Sequence, residues 1–404
     1  MNEAYQSKNH SVRLRSGITS ESFFAVFLGL LWANHTLVDY LRAILMRIPY
    51  VSSGRDFIVI FIFVMAGIFS LPYMVRRIDA RLVLAYIVIV TIYLGNIVFF
   101  PDNRTALEEN AVRFLLQSLP LIFVGACVDV KKHYRLLYYI SLIAVISRFI
   151  HILLEPSNIL VGDMQRSYFM LPHVCLVVVS TLAHKNILNI LVSIIGIFSI
   201  FSFGTRGPVL CLLLLVVIYM LVFPKMHKHL WFFLFISGAV FCLIWFYDEI
   251  IQFLKSFFEQ AGMNTRIFDL IQSGNIAESS GRNRIQARLL EAISQNPFGY
   301  GIAGDRLLAG AYSHNLLIEL WISFGVFLGS IIFIVPVIYT VKLMIQRKNN
   351  RTVEDNFILV LIASSYIKLF LSGTYLTESL LYLLIGVVLS VYVKEKRKAQ
   401  YFLD

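Results

Sequence analysis

Apolar and polar positions are segregated along this chain into long blocks. Apolar runs cover roughly 22–38, 57–75, 82–100, 112–128, 136–154, 168–183, 187–203, 208–223, 230–247, 316–341, 356–373 and 376–393. Most approach the ~20 residues that a helix needs to cross a hydrocarbon core of about 30 Å. None has the residue-by-residue alternation of a barrel strand, and in lipid a helix satisfies its own backbone groups. The pattern predicts an all-α polytopic membrane protein with about twelve transmembrane helices.

One polar interval interrupts this rhythm, a loop of about 65 residues over 248–313. Loops of that length in a compact protein usually carry function. Asp248–Gln260 places Ile250, Ile251, Phe253, Leu254, Phe257 and Phe258 among polar residues, the pattern of an interfacial helix. Ser280–Asn296 predicts a second helix, with Ser280 as N-cap and Asn296-Pro297 as its stop. On it Arg284, Arg288 and Glu291 share a polar face, and Ile285, Leu289 and Ile293 an adjoining apolar one. Phe298-Gly299-Tyr300-Gly301 follows Asn-Pro and reads as a turn. The predicted organisation is therefore an N-terminal transmembrane bundle (1–247), a large external loop (248–313), and C-terminal spans with a tail (314–404).

Charge orients the pattern. With the N-terminus inside, the inner turns hold Arg76, Arg77 and Arg81; Lys131, Lys132 and Arg135; Lys185; Lys225 and Lys228; and Lys342, Arg347, Lys348 and Arg351. The C-terminal tail adds Lys394, Lys396, Arg397 and Lys398. Cytoplasmic loops gather Lys and Arg, so both termini are expected in the cytoplasm and the long loop outside, in the periplasm or extracellular space. The net charge of +11 belongs to this asymmetry and does not point to nucleic acid. With 58% hydrophobic and 15% charged residues, the composition excludes an ordinary soluble domain, which carries about 25% charged residues. Cys127, Cys175, Cys211 and Cys242 all lie in apolar runs and read as small hydrophobes. The polar N-terminal segment and the absence of a small-residue site after the first run predict no cleavable signal peptide.

Candidate chemistry concentrates at the outer edge. His314 stands at the start of the tenth run, where an imidazole suits general-base work or simply caps a helix end. Arg206 lies in a tight outer turn, where positive-inside statistics disfavour it. Arg282, Arg284 and Arg288 follow in the loop; two or three converging arginines would clamp a diphosphate. The alternative for Arg284 and Arg288 is a solvated helix face paired with Glu291. Arg166, Arg148, Lys368 and Glu378 lie near other outer helix ends. Asn315 and Glu319 are one helical turn apart and share a face, and Tyr312 precedes the histidine. There is no Asp-x-Asp pair, phosphate-binding loop or His/Cys ligand spacing, so neither a metal nor another cofactor is expected.

Taken in order, Thr205-Arg206-Gly207, Ser280-Gly281-Arg282, the helix closing in Asn296-Pro297-Phe298-Gly299-Tyr300-Gly301, and Ser313-His314-Asn315 with Glu319, Gly325 and Gly329 resemble the bacterial O-antigen polymerase and O-antigen ligase superfamily. The resemblance covers roughly 200–330, with Gln286 where many members carry Trp and Thr205 where many carry Ser. It implies a metal-independent, inverting glycosyltransferase of the bacterial plasma (inner) membrane. Donor and acceptor would be undecaprenyl-diphosphate-linked oligosaccharide repeat units, with a chain-length regulator and a flippase as candidate partners. It further implies catalytic roles for His314, Arg206 and Arg282, and substrate contacts for Arg288, Arg284, Arg166, Asn315, Glu319 and Tyr312. A ligase would use the same donor with a lipopolysaccharide core as acceptor. A flippase or transporter would instead place charges at mid-membrane and show paired halves.

Overall fold

The computed structural model describes residues 19–39, 41, 55–154, 164–184, 186–203, 205–222, 247–260, 262, 265, 268–269, 281–347 and 351–401. Apart from turns and short loops these are helical, with no strand among the described residues. They form two compact units, divided after Ile78.

The first unit holds α1 (Ser20–Ala33) and α2 (Arg55–Val75). Thr19 caps α1 by accepting from the Ser22 backbone N–H. Phe24, Leu28 and Trp32, spaced one turn apart, form the buried stripe of α1. Phe23 and Phe24 pack on Phe69 and Tyr73 of α2, with ring centroids 4.8 and 4.7 Å apart.

In the second unit, α3 (Ala80–Phe99) is followed by a segmented helix. A 3-10 turn (Pro101–Asn103), α4 (Arg104–Ala111), a π-helical stretch (Val112–Ser118) and α5 (Leu121–Cys127) succeed one another. Next come α6 (Val130–Leu154), α7 (Met164–Ala183), α8 (Ile187–Ser202) and α9 (Arg206–Val222). The innermost of these is α7, whose Leu171 and Val174–Val177 are fully buried. Polar pairs join these apolar helices: Ser141 to His173 (3.1 Å), Thr181 to Ser193 (2.8 Å) and Tyr134 to Ser180 (2.8 Å).

The loop interval supplies α10 (Tyr247–Gln260), α11 (Arg282–Gln295) and the short α12 (Gly304–Ala309). Helices are thus present over both stretches where the sequence predicts them. Ser280 lies outside the described residues, and the N-cap of α11 is Gly281, at φ +80°. This replaces the serine cap read from the sequence, because the chain enters the helix through a left-handed turn that glycine adopts without steric cost. Leu289, Ala292 and Ile293 of α11 are buried against Ile318 and Ile322, with Ile285 packed beside them, as the periodicity predicts.

The chain ends with α13 (Leu316–Gln346), α14 (Val353–Leu361) and α15 (Ser379–Tyr401). Between α14 and α15 the helix widens into a π segment (Ile362–Ile367), tightens into a 3-10 turn (Lys368–Phe370), and stops. Gly125 of α5 and Gly386 of α15 meet backbone to backbone, with no room for a Cβ on either. Among the described residues, six helices are long and apolar enough to cross a membrane: Asp56–Val75, Ala80–Phe99, Pro101–Cys127, Val130–Leu154, Met164–Ala183 and Leu316–Gln346. Three shorter apolar helices accompany them, at Ser20–Ala33, Ile187–Ser202 and Arg206–Val222. The apolar run at 230–247 lies almost wholly outside the described residues.

Candidate active site

The site is assembled where α13 begins. Asn315 caps this helix, its Oδ1 accepting from the backbone of Leu317 (3.0 Å) and Ile318 (3.4 Å). His314, immediately before it, has φ +55°, a left-handed backbone that few non-glycine residues adopt. Ser313 is wholly buried and held on three sides. Its N–H donates to Asp305 Oδ2 (2.9 Å), its carbonyl accepts from Gln286 Nε2 (3.3 Å), and its hydroxyl donates to the Asn315 carbonyl (2.8 Å). His314 is therefore fixed by its neighbours on both sides, so the surrounding structure can hold a conformation that costs about 1–3 kcal/mol.

Asp305 is itself 1% exposed, and its other oxygen accepts from the backbone and guanidinium of Arg306 (3.0 and 3.1 Å). Burial pushes its carboxyl upward, and the Arg306 charge and the Ser313 N–H pull it back. The Tyr312 ring packs against the imidazole at a tilt of 45°, with centroids 4.1 Å apart. Burial, and then the nearby Arg282 charge, lower the His314 pKa from 6.5 to about 4. The ring is neutral at physiological pH, and its buried Nδ1 has no hydrogen-bond partner among the described residues.

Arg282 opens α11 one turn before Gln286, so the two share a helix face. Its guanidinium donates to the Leu371 carbonyl (2.5 Å) and reaches Met164 Sδ (3.4 Å) at the start of α7. Arg206 opens α9. The preceding Thr205 donates to Ser167 Oγ (2.8 Å), which brings Arg206 and exposed Arg166 to the same edge of α7. The following Gly207 lies so close to the Tyr168 hydroxyl that a Cβ would overlap it.

The remaining sequence candidates are engaged in the fold or exposed away from His314. Arg284 and Arg288 are exposed on the outer face of α11, and no ion pair joins either to Glu291 among the described residues. Glu319 is 2% exposed and accepts from the Thr374 hydroxyl and the Tyr375 backbone (3.3 Å), tying α13 to the 371–378 loop. The Asn315 amide oxygen is engaged in its cap. Asp305, Gln286 and Tyr168 were not singled out as site residues from the sequence. Each is an isolated polar residue whose neighbours come from distant segments, and only the tight Ser313-His314-Asn315 turn hints that something must hold it.

Residues 191–334 match the family model for O-antigen ligase, and this match supports the O-antigen polymerase and ligase superfamily. The matched segment contains Arg206, Arg282 and His314. No curated protein and no solved structure matches the chain.

Proposed function

We propose that this protein is a polysaccharide polymerase that transfers a glycan from an undecaprenyl-diphosphate donor to a sugar hydroxyl of another lipid-linked repeat unit. The observation that carries the reading is His314. It is a neutral imidazole, held in a left-handed turn beside Arg282. Such a group can accept a proton from an acceptor hydroxyl. That oxygen then bonds to the donor's anomeric carbon while the bond from this carbon to the diphosphate oxygen breaks. Attack from the face opposite the leaving group inverts the centre. The departing diphosphate carries away the electron pair, and Arg206 and Arg282 supply the charge that stabilises it. Guanidinium groups can do here what a divalent cation does elsewhere, because their attraction grows in a partly dry site. Arg166, Arg284 and Arg288 would meet the glycan or lipid outside this centre. Asn315 and Glu319 would shape it from behind, and Tyr312 would hold the ring.

In this reading about twelve spans cross the bacterial plasma membrane, both termini are cytoplasmic, and the loop faces outward. A flippase would supply the substrate and a chain-length regulator would limit the product. The matched family's description favours a second reading, in which the acceptor is a lipopolysaccharide core.

Purified protein in lipid, given a synthetic undecaprenyl-diphosphate oligosaccharide with EDTA present, tests both. A ladder of repeat multiples, absent in His314→Ala, is the expected result. Transfer only when a core acceptor is supplied would assign the ligase. A ladder undiminished in a stably inserted His314→Ala variant would remove the histidine from the chemistry.

A further inference from the structure

Lys368 sits where an apolar run breaks. The π segment ends at Ile367, the 3-10 turn begins at Lys368, and the helix then stops. A lysine within an apolar run needs a partner, and Lys368 Nζ is ion-paired to Glu378 across the 371–378 loop. Both side chains are largely buried, at 16% and 8% exposure.

Three contacts place this pair among the arginines of the site. The Lys368 ammonium lies 5.3 Å from the centroid of the Tyr168 ring. The hydroxyl of that tyrosine abuts Gly207, next to Arg206. Arg282 donates to the Leu371 carbonyl, and Leu371 in turn donates from its backbone to the Lys368 carbonyl (2.8 Å). The first two turns of α7 are thus ringed by Arg206, Arg282 and Lys368. The Tyr168 hydroxyl between them is buried, with the Ser372 side chain beside it. Cations from three separate elements gathered around one buried side chain are an arrangement that an anionic ligand can bind.

We propose that Lys368 is a third cation for the donor's diphosphate, held by Glu378 in the empty site and transferred to the ligand on binding. The proposal rests on the diphosphate reading above and adds a binding residue and an exchange of partners to it. Glu378 competes with the ligand for one ammonium, so it lowers affinity while keeping a buried charge satisfied. The same competition aids release of the diphosphate product, because the carboxylate can reclaim the lysine.

A pair that merely fastened the loop would respond alike to loss of either partner. A pair that exchanges partners responds with opposite signs. The test is isothermal titration of inorganic diphosphate into the full-length protein in nanodiscs. Lys368→Met should weaken binding about tenfold or more, the scale of one charge-assisted contact. Glu378→Gln, which keeps a hydrogen-bond acceptor but removes the competing charge, should tighten it several-fold. Lys368→Arg should retain binding. The double variant Lys368→Met/Glu378→Leu leaves no unpaired charge to disturb folding, and it should bind as weakly as Lys368→Met. Shifts of the same sign in Lys368→Met and Glu378→Gln, or no shift in either, would overturn the exchange while leaving Arg206 and Arg282 as the diphosphate site. No binding by the wild type would overturn the diphosphate reading as well.

Discussion

His314 shows how one residue's surroundings set its chemistry. A solvent-exposed imidazole titrates near 6.5 and would lose its base function on mild acidification. Here burial and the Arg282 charge both disfavour the imidazolium, so the free protein keeps a neutral ring down to about pH 4. The sign follows directly. The native state takes up its proton only below the ordinary value, so base function is present above about 4 and is lost as the pH falls through it. A bound diphosphate would offset Arg282 and make the imidazolium easier to form, raising the value in the complex. The acid limb of kcat/KM, which reports the free protein, should therefore lie near 4, and that of kcat should lie above it. Both profiles should be flat from about pH 5 or 6 to 8, and the limb should vanish from the residual activity of His314→Gln. A kcat/KM limb at 6.5 would mean that the ring is neither buried nor opposed by Arg282 in the working protein.

At the scale of elements, the site depends on a break inside α13. Gly325 has φ +79° and ψ +165°, a region open essentially only to glycine. The break removes the helical bond from the Val326 N–H to the Ile322 carbonyl, and the Pro297–Tyr300 turn fills both vacancies. Val326 donates to the Pro297 carbonyl (2.9 Å), and Tyr300 donates to the Ile322 carbonyl (2.7 Å). Gly299 allows the approach, since a Cβ there would stand 2.6 Å from the Gly325 nitrogen. Beyond the break the helix bends back so far that a Cβ on Gly329 would lie 2.6 Å from the Leu320 carbonyl oxygen. In a straight helix Gly329→Ala would gain about 1 kcal/mol from propensity. Here it should lower the melting temperature of the solubilised protein. Gly325→Ala should lower it too, by a cost of about 1–3 kcal/mol. A rise in either would show that the bend is absent. This break was not legible in the sequence, where a glycine in an apolar run is unremarkable and the groups that complete it stand some 25 residues upstream. The amphipathic α11 was legible because its stripe at Ile285, Leu289 and Ile293 is local. Likewise, the turn after Asn296 was readable from its own residues, but what it clasps was not.

At the scale of the whole molecule, charge and architecture separate the two ends of the α6–α9 helices. At one end, Tyr134 of α6 meets Ser180 of α7, and Arg351 lies 4.3 Å from the Tyr219 ring centroid of α9. Lys131 and Lys132, at the start of α6, belong to this end. At the other end, Arg148 of α6 lies 4.7 Å from the Phe203 ring centroid, and Arg206, Tyr168, Arg282 and His314 gather beyond it. Lys131, Lys132 and Arg351, expected inside, are therefore at the helix end opposite the candidate site, whereas Lys185, Lys225, Lys228 and Lys348 lie outside the described residues. Arg347 is an exception that the sequence pattern miscounts: it is 7% exposed, paired with Glu354 (2.5 Å) and Asp355 (3.2 Å), so its charge is neutralised within the fold. With the positive-inside expectation, the proposed function needs the site outside. In a cysteine-free background, Gln295→Cys on the exposed end of α11 should react with a membrane-impermeant maleimide in spheroplasts, whereas Lys131→Cys should react only after lysis. The reverse pattern would turn the site toward the cytoplasm, and a donor polymerised outside could not reach His314. Labelling as expected would put Arg206, Arg282 and His314 on the face that the proposed function requires.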